Sequence, residues 1–89
     1  MTKIEQILSC FLKQPKMIDL TLQKKLGEQI KFLREKQDMP QQVLAAKCNF
    51  EKGNLSRLEG GKVNPTLQTL SKIALALGVD IKELFNFPE

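Results

Sequence analysis

Apolar residues recur every three or four positions along almost the whole chain, and no segment alternates polar and apolar residues with a period of two. This spacing gathers apolar side chains on one face of an α-helix, whereas a half-buried strand requires strict alternation. With 89 residues, of which 42% are hydrophobic, the chain has room for one modest core. The sequence therefore predicts one all-α domain with an extra helix in front.

Capping and breaking residues divide this pattern into six predicted helices. Thr2 is a plausible N-cap and Pro15 ends the first helix, while Thr66 and Asp80 begin the last two and Gly78 separates them. The helices are expected at about residues 2–13, 19 or 21–37, 41–48, 52–59, 66–77 and 80–85. We assign residues 1–19 to the leading helix and its linker, and residues 20–89 to the domain. The inward residues expected for the second and fifth helices are Leu22, Leu26, Ile30, Leu33, Leu67, Leu70, Ile73, Ala74 and Leu77.

Several function classes are poorly supported by the composition. The chain has no histidine, and Cys10 and Cys48 are far apart, so we expect no metal site, no cofactor and no catalytic activity. Two separated cysteines favour reduced thiols, and we expect Cys48 to be an inert core thiol. Polar residues interrupt the apolar positions of the first segment, so it predicts neither a signal peptide nor a membrane span. We expect a cytoplasmic protein.

The most informative segment is the pair of short helices at 41–48 and 52–59, with a three-residue turn placed at Cys48 to Phe50. Two helices that cross steeply need a small residue at their contact, which Ala45 provides. The turn needs a residue that tolerates a left-handed backbone, and Asn49 is the most suitable one after glycine. This arrangement directs Cys48, Phe50, Leu55 and Leu58 inward.

An exposed strip on the second of these helices contains no acidic residue. Arginine and lysine can hydrogen-bond guanine O6 and N7, and asparagine can bond adenine, so such a strip suits the DNA major groove. A net charge of +4 alone would not indicate DNA, but it becomes informative when basic residues share one face. The strip consists of Lys52, Gly53, Asn54, Ser56 and Arg57.

At residues 26–85 the chain resembles the phage repressor and Cro type (xenobiotic response element type) of helix-turn-helix transcriptional regulator. The resemblance depends on five pieces that occur in the family's order and nearly at its spacing. These are Leu26-Gly27, Gln41-x-x-Leu44-Ala45, Leu55-Ser56-Arg57-Leu58-Glu59-x-Gly61-Lys62, Asn64-Pro65-Thr66-Leu67 and Ala76-Leu77-Gly78-Val79.

This resemblance implies a lambda-repressor-like five-helix DNA-binding domain whose recognition helix, about residues 51–59, enters the major groove. Gln41 matches a position that touches phosphate and supports a base contact, and Lys62 matches a backbone-contacting position. Residues 51–54 and Arg57 match base-reading positions. In the family an arginine late in the first helix pairs with the glutamate that ends the recognition helix, which assigns a structural pair to Arg34 and Glu59.

Two positions depart from the family pattern, because Pro40 and Glu51 stand where serine or threonine is usual. Glu51 could accept a hydrogen bond from cytosine N4, or it could simply be favoured by the helix N-terminus. Gly53 lowers helix propensity by roughly 1 kcal/mol relative to alanine. It either permits close approach to DNA or has no such role.

Relatives bind palindromic operators as dimers, with half-sites about 34 Å apart. We therefore expect a homodimeric transcriptional repressor on double-stranded DNA, with Leu84, Phe85 and Phe87 as the interface. The stripe of Ile4, Ile7, Leu8 and Phe11 in the leading helix could pack on its own domain, on a sister subunit or on a foreign protein. The last possibility would suit an antitoxin, which is the alternative function. Restriction-modification controllers and prophage repressors are both compatible with this size.

Overall fold

The computed structural model describes residues 18–87, with side-chain positions from residue 21 onward, so the predicted leading helix lies outside the described residues. The described range contains four α-helices and a short 3₁₀ helix, and within it there is no strand. None of these helices is long and apolar enough to cross a membrane. The helices are α1 (Ile18–Lys36), α2 (Gln41–Cys48), α3 (Lys52–Glu59), α4 (Leu67–Leu77) and the 3₁₀ helix (Ile81–Phe85).

Residues at the helix ends explain where each helix stops. Asn49 follows α2 with a left-handed backbone (φ 59°, ψ 42°), as predicted, and Gly78 ends α4 in the same way. Thr66 caps α4, because its hydroxyl oxygen accepts a hydrogen bond from the Thr69 backbone N–H at 3.1 Å. Asp80 precedes the 3₁₀ helix, as predicted, but its side chain makes no capping hydrogen bond.

The core is one apolar cluster to which every described helix contributes. Ala45 is 3% exposed at the contact between α2 and its neighbours, in agreement with the predicted need for a small residue there. Leu84 anchors the 3₁₀ helix in the same cluster. The buried members are Leu26, Ile30, Leu33, Leu44, Ala45, Cys48, Leu55, Leu58, Leu70, Ile73, Ala74, Leu77 and Leu84.

Two residues expected in the core are exposed instead. Leu22 is 46% exposed and Leu67 is 73% exposed, so the prediction was wrong for both. Each lies near the beginning of its helix, and the apolar pattern continues there beyond the part of the helix that a neighbouring element covers. Spacing identifies a face of a helix, but it does not show how far along that face the burial extends.

Two glycines allow α1 and the end of α3 to approach closely. A Cβ atom on Gly27 would lie 2.4 Å from the carbonyl oxygen of Leu58 and 2.6 Å from that of Glu59, so no side chain fits. Gly61 has a φ of +73°, and a Cβ there would lie 2.7 Å from the Cα of Lys24. These contacts fix the position of α3 on the domain.

Candidate nucleic-acid interface

Helix α3 presents a buried face to the core and a polar face to solvent. Leu55 is 0% exposed and Leu58 is 4% exposed, which fixes the rotation of α3 about its axis. Because residues four apart share a face, Gly53 and Arg57 lie at the centre of the side opposite these leucines. All members of the predicted strip are exposed: Lys52, Gly53, Asn54, Ser56 and Arg57.

A buried ion pair joins α3 to α1. The Arg34 Nε donates to one oxygen of the Glu59 carboxylate at 2.7 Å, and Nη2 donates to the other at 3.0 Å. The Nη1 group donates to the backbone carbonyl of Met39 at 2.7 Å. The side chains of the pair are only 8% and 3% exposed. This bidentate geometry specifies the distance and the orientation between the two helices.

Helix α2 is hydrogen-bonded to the same carboxylate of Glu59. Gln41, the first residue of α2, donates from Nε2 to a Glu59 oxygen at 2.9 Å, so Glu59 connects α1, α2 and α3. The family resemblance implied a role toward DNA for Gln41, but it did not predict this bond. The only hint was a glutamine at the start of one motif helix and a glutamate at the end of the other.

Glu59 holds Arg34 in its charged form. The hydrogen bond to Glu59 raises the pKa of the Arg34 guanidinium, with the negative charges of Glu59 and Glu35 acting in the same direction and desolvation opposing them. The two charges of the pair compensate each other inside the fold. The positive charges available to a ligand near α3 therefore come from exposed residues, namely Lys52, Arg57 and Lys62.

The beginning of α3 is open on its solvent side. Glu51 occupies the N-cap position (φ −75°, ψ 143°), but its side chain makes no capping hydrogen bond and is exposed. A Cβ atom added to Gly53 would meet nothing within 4 Å. Gly53 is therefore not required by the packing of the domain, in contrast to Gly27.

The structure separates the three predicted interface residues. Leu84 is completely buried, so its side chain supports the 3₁₀ helix and offers no contact surface. Phe85 is 42% exposed and lines, with Leu22 and Leu70, a pocket of about 130 Å³. Phe87 is half-buried and lines a different groove, although its ring contacts that of Phe85 edge-to-face at 6.3 Å.

The described residues contain no group of three or more histidine, cysteine, aspartate or glutamate side chains that could hold a metal ion. Cys48 lies in the core, where burial raises the pKa of its thiol and the positive charge of Lys72 offsets part of this effect. Its Sγ atom lies 3.6 Å from the carbonyl oxygen of Lys72.

The amino-acid sequence of this chain is similar to a protein family and to individual known proteins. A helix-turn-helix family model matches residues 30–84. Control protein C.MunI of a Mycoplasma species is 38% identical over 63 residues, which cover 70% of this chain and 85% of that protein. The immunity repressor protein of Bacillus phage phi105 is 34% identical over 59 residues, covering 66% of this chain and 41% of the repressor.

Solved structures share the fold as well. The restriction-modification controller protein C.AhdI from Aeromonas hydrophila superposes with a TM-score of 0.69 at 29% sequence identity. The match covers 70% of this chain and 94% of C.AhdI. The match is therefore longer than the pair of short helices, which together span only residues 41–59.

Proposed function

Because the chain belongs to the helix-turn-helix family of DNA-binding transcriptional regulators, we propose that it is a homodimeric repressor that inserts α3 into the major groove of a palindromic operator in the cytoplasm. The observation that carries the proposal is the exposed, non-acidic face of α3 on a rigidly held helix. A helix held by a buried ion pair presents its side chains in one orientation, which sequence-specific reading requires.

We assign the contacts with DNA bases to the residues on the exposed face of α3. Lys52 and Arg57 have the chemistry to bond guanine, and Asn54 can bond adenine. Ser56 flanks them, and Gly53 leaves room for the helix backbone to approach the base edges. We propose that Glu51, whose carboxylate makes no capping hydrogen bond, accepts a hydrogen bond from cytosine N4.

Two further residues are assigned to the DNA backbone. Gln41 begins α2 and its side chain bonds the Glu59 carboxylate, and Lys62 follows α3 as an exposed cation. Contacts with phosphate position a protein on the duplex and carry little sequence information. In this arrangement Glu59 links the backbone-positioning helix α2 to the base-reading helix α3.

Dimerisation is proposed through an apolar patch formed by Leu22, Leu67 and Phe85. Leu22 and Phe85 line the same shallow pocket, and Leu67 lies one helical turn before Leu70, which lines it too. All three patch residues are more than 40% exposed: 46% for Leu22, 73% for Leu67 and 42% for Phe85. One recognition helix covers only part of an operator, and a two-fold pair would match two half-sites about 34 Å apart.

Selection of bound sequences from random duplex DNA, followed by footprinting, tests the proposal. The selected operator should be a palindrome, and Lys52→Ala or Arg57→Ala should each weaken its binding by about 1–3 kcal/mol. Lys82→Ala is the control, because Lys82 is an exposed cation on the 3₁₀ helix and not on α3. Equal losses from all three variants would contradict groove recognition and leave only general charge attraction.

A further inference from the structure

A groove of about 690 Å³ lies between α1 and the segment that follows the 3₁₀ helix. Phe32, Leu33 and Phe87 supply its apolar surface, and Phe32 is 57% exposed. Four charged side chains also line the groove, namely Lys25, Glu28, Lys36 and Glu83.

This groove is separate from the surfaces assigned to DNA and to dimerisation. Gly27, which contacts α3, and Phe32 are five positions apart, so they point in directions that differ by roughly 140° around α1. The pocket beside Phe85 shares no lining residue with the groove. An occupant of the groove therefore leaves both α3 and the apolar patch accessible.

The charges that line the groove are balanced, because two are positive and two are negative. Within residues 18–87, no ion pair joins any two of these four side chains. A nucleic acid binds through positively charged surface, which a groove without net charge does not offer. A matching protein surface must present both signs, and a second copy of this chain presents such a surface.

The lining of the groove suits a helix better than a small molecule. Small-molecule sites present a few polar groups directed at the ligand. The buried polar side chain here is Gln29, and its Nε2 already donates to the carbonyl oxygen of Glu83 at 3.0 Å. The wall on α1 consists of residues at positions 25, 28, 29, 32, 33 and 36, which is the spacing of one helix face.

We propose that this groove binds α1 of a second copy of the chain, with the two helices antiparallel across a two-fold axis beside Phe32. Glu28 and Lys36 each lie four positions from Phe32, on opposite sides of it along α1. Both therefore lie within about 40° of Phe32 around the helix and about 6 Å from it along the helix. The axis places Glu28 of one copy level with Lys36 of the other, and it generates the same pair a second time.

The same charges disfavour the parallel arrangement. Two parallel copies of α1 related by a two-fold axis would place Glu28 beside Glu28 and Lys36 beside Lys36, where like charges repel. In the antiparallel arrangement both contacts join opposite charges. The two Phe32 rings meet at the axis, where they remove apolar surface from water and gain an aromatic contact.

The contact is small, and we expect it to be weaker than the dimer contact of the apolar patch. The section of α1 from residue 25 to residue 36 is about 17 Å long and about 10 Å wide, against the roughly 1,200 Å² that specific stable interfaces bury. Association through the groove should thus require roughly hundreds of micromolar protein.

Together with the apolar patch, the groove gives each chain two different two-fold contacts, through which dimers join into larger assemblies. This last step depends on the proposed dimer, whereas the contact between two grooves does not.

Substitution of the paired charges tests the register in the full-length protein. The Phe85→Asp background removes the apolar patch, and sedimentation equilibrium follows association from about 0.05 to 1 mM. Glu28→Lys alone and Lys36→Glu alone each place like charges opposite one another, so each should raise the dissociation constant roughly tenfold. An equimolar mixture of these two variants restores opposite charges and should associate like the Phe85→Asp parent. Both variants stay net positive, so general attraction does not explain such a recovery.

The matched controls are Asp80→Lys and Lys82→Glu, which make the same charge changes at exposed residues outside the groove. Each should associate like the Phe85→Asp parent. Equal losses in the controls, no recovery in the mixture of groove variants, or no association of the parent at about 1 mM would overturn the proposal. A parent that is already dimeric at about 10–50 µM, and that the groove variants dissociate, would support the groove contact and contradict the patch dimer.

Removal of the ring at the axis provides a second test in the same background. Phe32→Asp should abolish the concentration-dependent association, whereas Leu75→Asp should preserve it, because Leu75 is 83% exposed and lies outside the groove. Both residues are exposed, so the domain should stay folded, which circular dichroism checks. Association that persists in Phe32→Asp, or that is lost equally in both variants, would overturn the proposal.

Discussion

Among single residues, the glycines show the difference between a structural requirement and a functional one. At Gly27 an added Cβ would collide with the backbone of α3 at 2.4 Å, whereas at Gly53 it would meet nothing within 4 Å. Only the first glycine is explained by packing. Gly53 nevertheless lies at the centre of the exposed face of α3, where a missing side chain lets the helix backbone approach a ligand.

Replacing Gly53 by alanine should therefore separate stability from DNA binding. Alanine is favoured over glycine in a helix by roughly 0.5–1 kcal/mol, so the thermal midpoint of the Gly53→Ala variant should rise by a few degrees. Operator affinity should fall, because the new methyl group stands between the helix and the base edges. Thermal melts and DNA titrations of the same preparation measure both effects. A more stable variant with undiminished affinity would remove Gly53 from the interface.

The Cys48 thiol should be unreactive in the folded protein. It is 3% exposed, and burial raises its pKa, so little thiolate is present at neutral pH. Because the raised pKa belongs to the folded state, ionisation of this thiol opposes folding only as the pH rises above the unfolded value. Labelling with a thiol reagent, followed by mass spectrometry, should modify Cys48 only after denaturant is added. Rapid labelling in native buffer would contradict its position in the core.

At the scale of elements, Arg34 and Glu59 determine how α3 sits on α1. Removing one partner leaves a buried charge unpaired, which typically costs about 3–5 kcal/mol. Arg34→Ala and Glu59→Ala should each lower stability strongly, and the double variant should cost less than the sum. Denaturant unfolding without DNA measures this coupling, with Lys82→Ala as an exposed control.

Simple additivity of the two substitutions would mean that the pair contributes no coupling energy. Gln41→Ala adds a graded comparison, because it removes only one hydrogen bond to the same carboxylate. Its loss should be smaller, on the order of 1–3 kcal/mol.

Much of the helical pattern could be predicted from local residue chemistry. The bounds of α2 and α3 agree with the prediction. Asn49 follows α2 and Gly61 lies just beyond α3, each with a positive φ, which is a backbone preference that is local in the chain. The exposed strip of α3 followed from the same spacing. These features need no knowledge of distant neighbours.

Features that depend on distant contacts could not be predicted in this way. Gln29 and Gln37 donate to the carbonyl oxygens of Glu83 and Leu77, which are 54 and 40 positions away in the chain. Nothing in the local pattern distinguishes these glutamines from glutamines that make no hydrogen bond to a distant residue. The burial of Leu84 and the exposure of Leu67 likewise depend on which helix lies opposite, which spacing alone does not specify.

At the scale of the whole molecule, the apolar patch should control assembly. Phe85→Asp places a charge among Leu22 and Leu67 and should make the protein monomeric in sedimentation experiments at about 10–50 µM, with weaker operator binding. Phe87→Asp should affect assembly less, because Phe87 lines the other groove. Leu75→Asp serves as an exposed apolar control. A wild-type protein that stays monomeric with and without operator would contradict the dimer.

The burial of the Arg34–Glu59 pair has a consequence for the response to ionic strength. Dissolved ions screen exposed charges within a Debye length of about 8–10 Å, but they screen a buried pair much less. Since the pair is only 8% and 3% exposed, while Lys52, Arg57 and Lys62 are exposed, added salt acts on the contacts with DNA and hardly on the support of α3. Salt should therefore release the protein from its operator through counterion competition while the reading helix keeps its orientation.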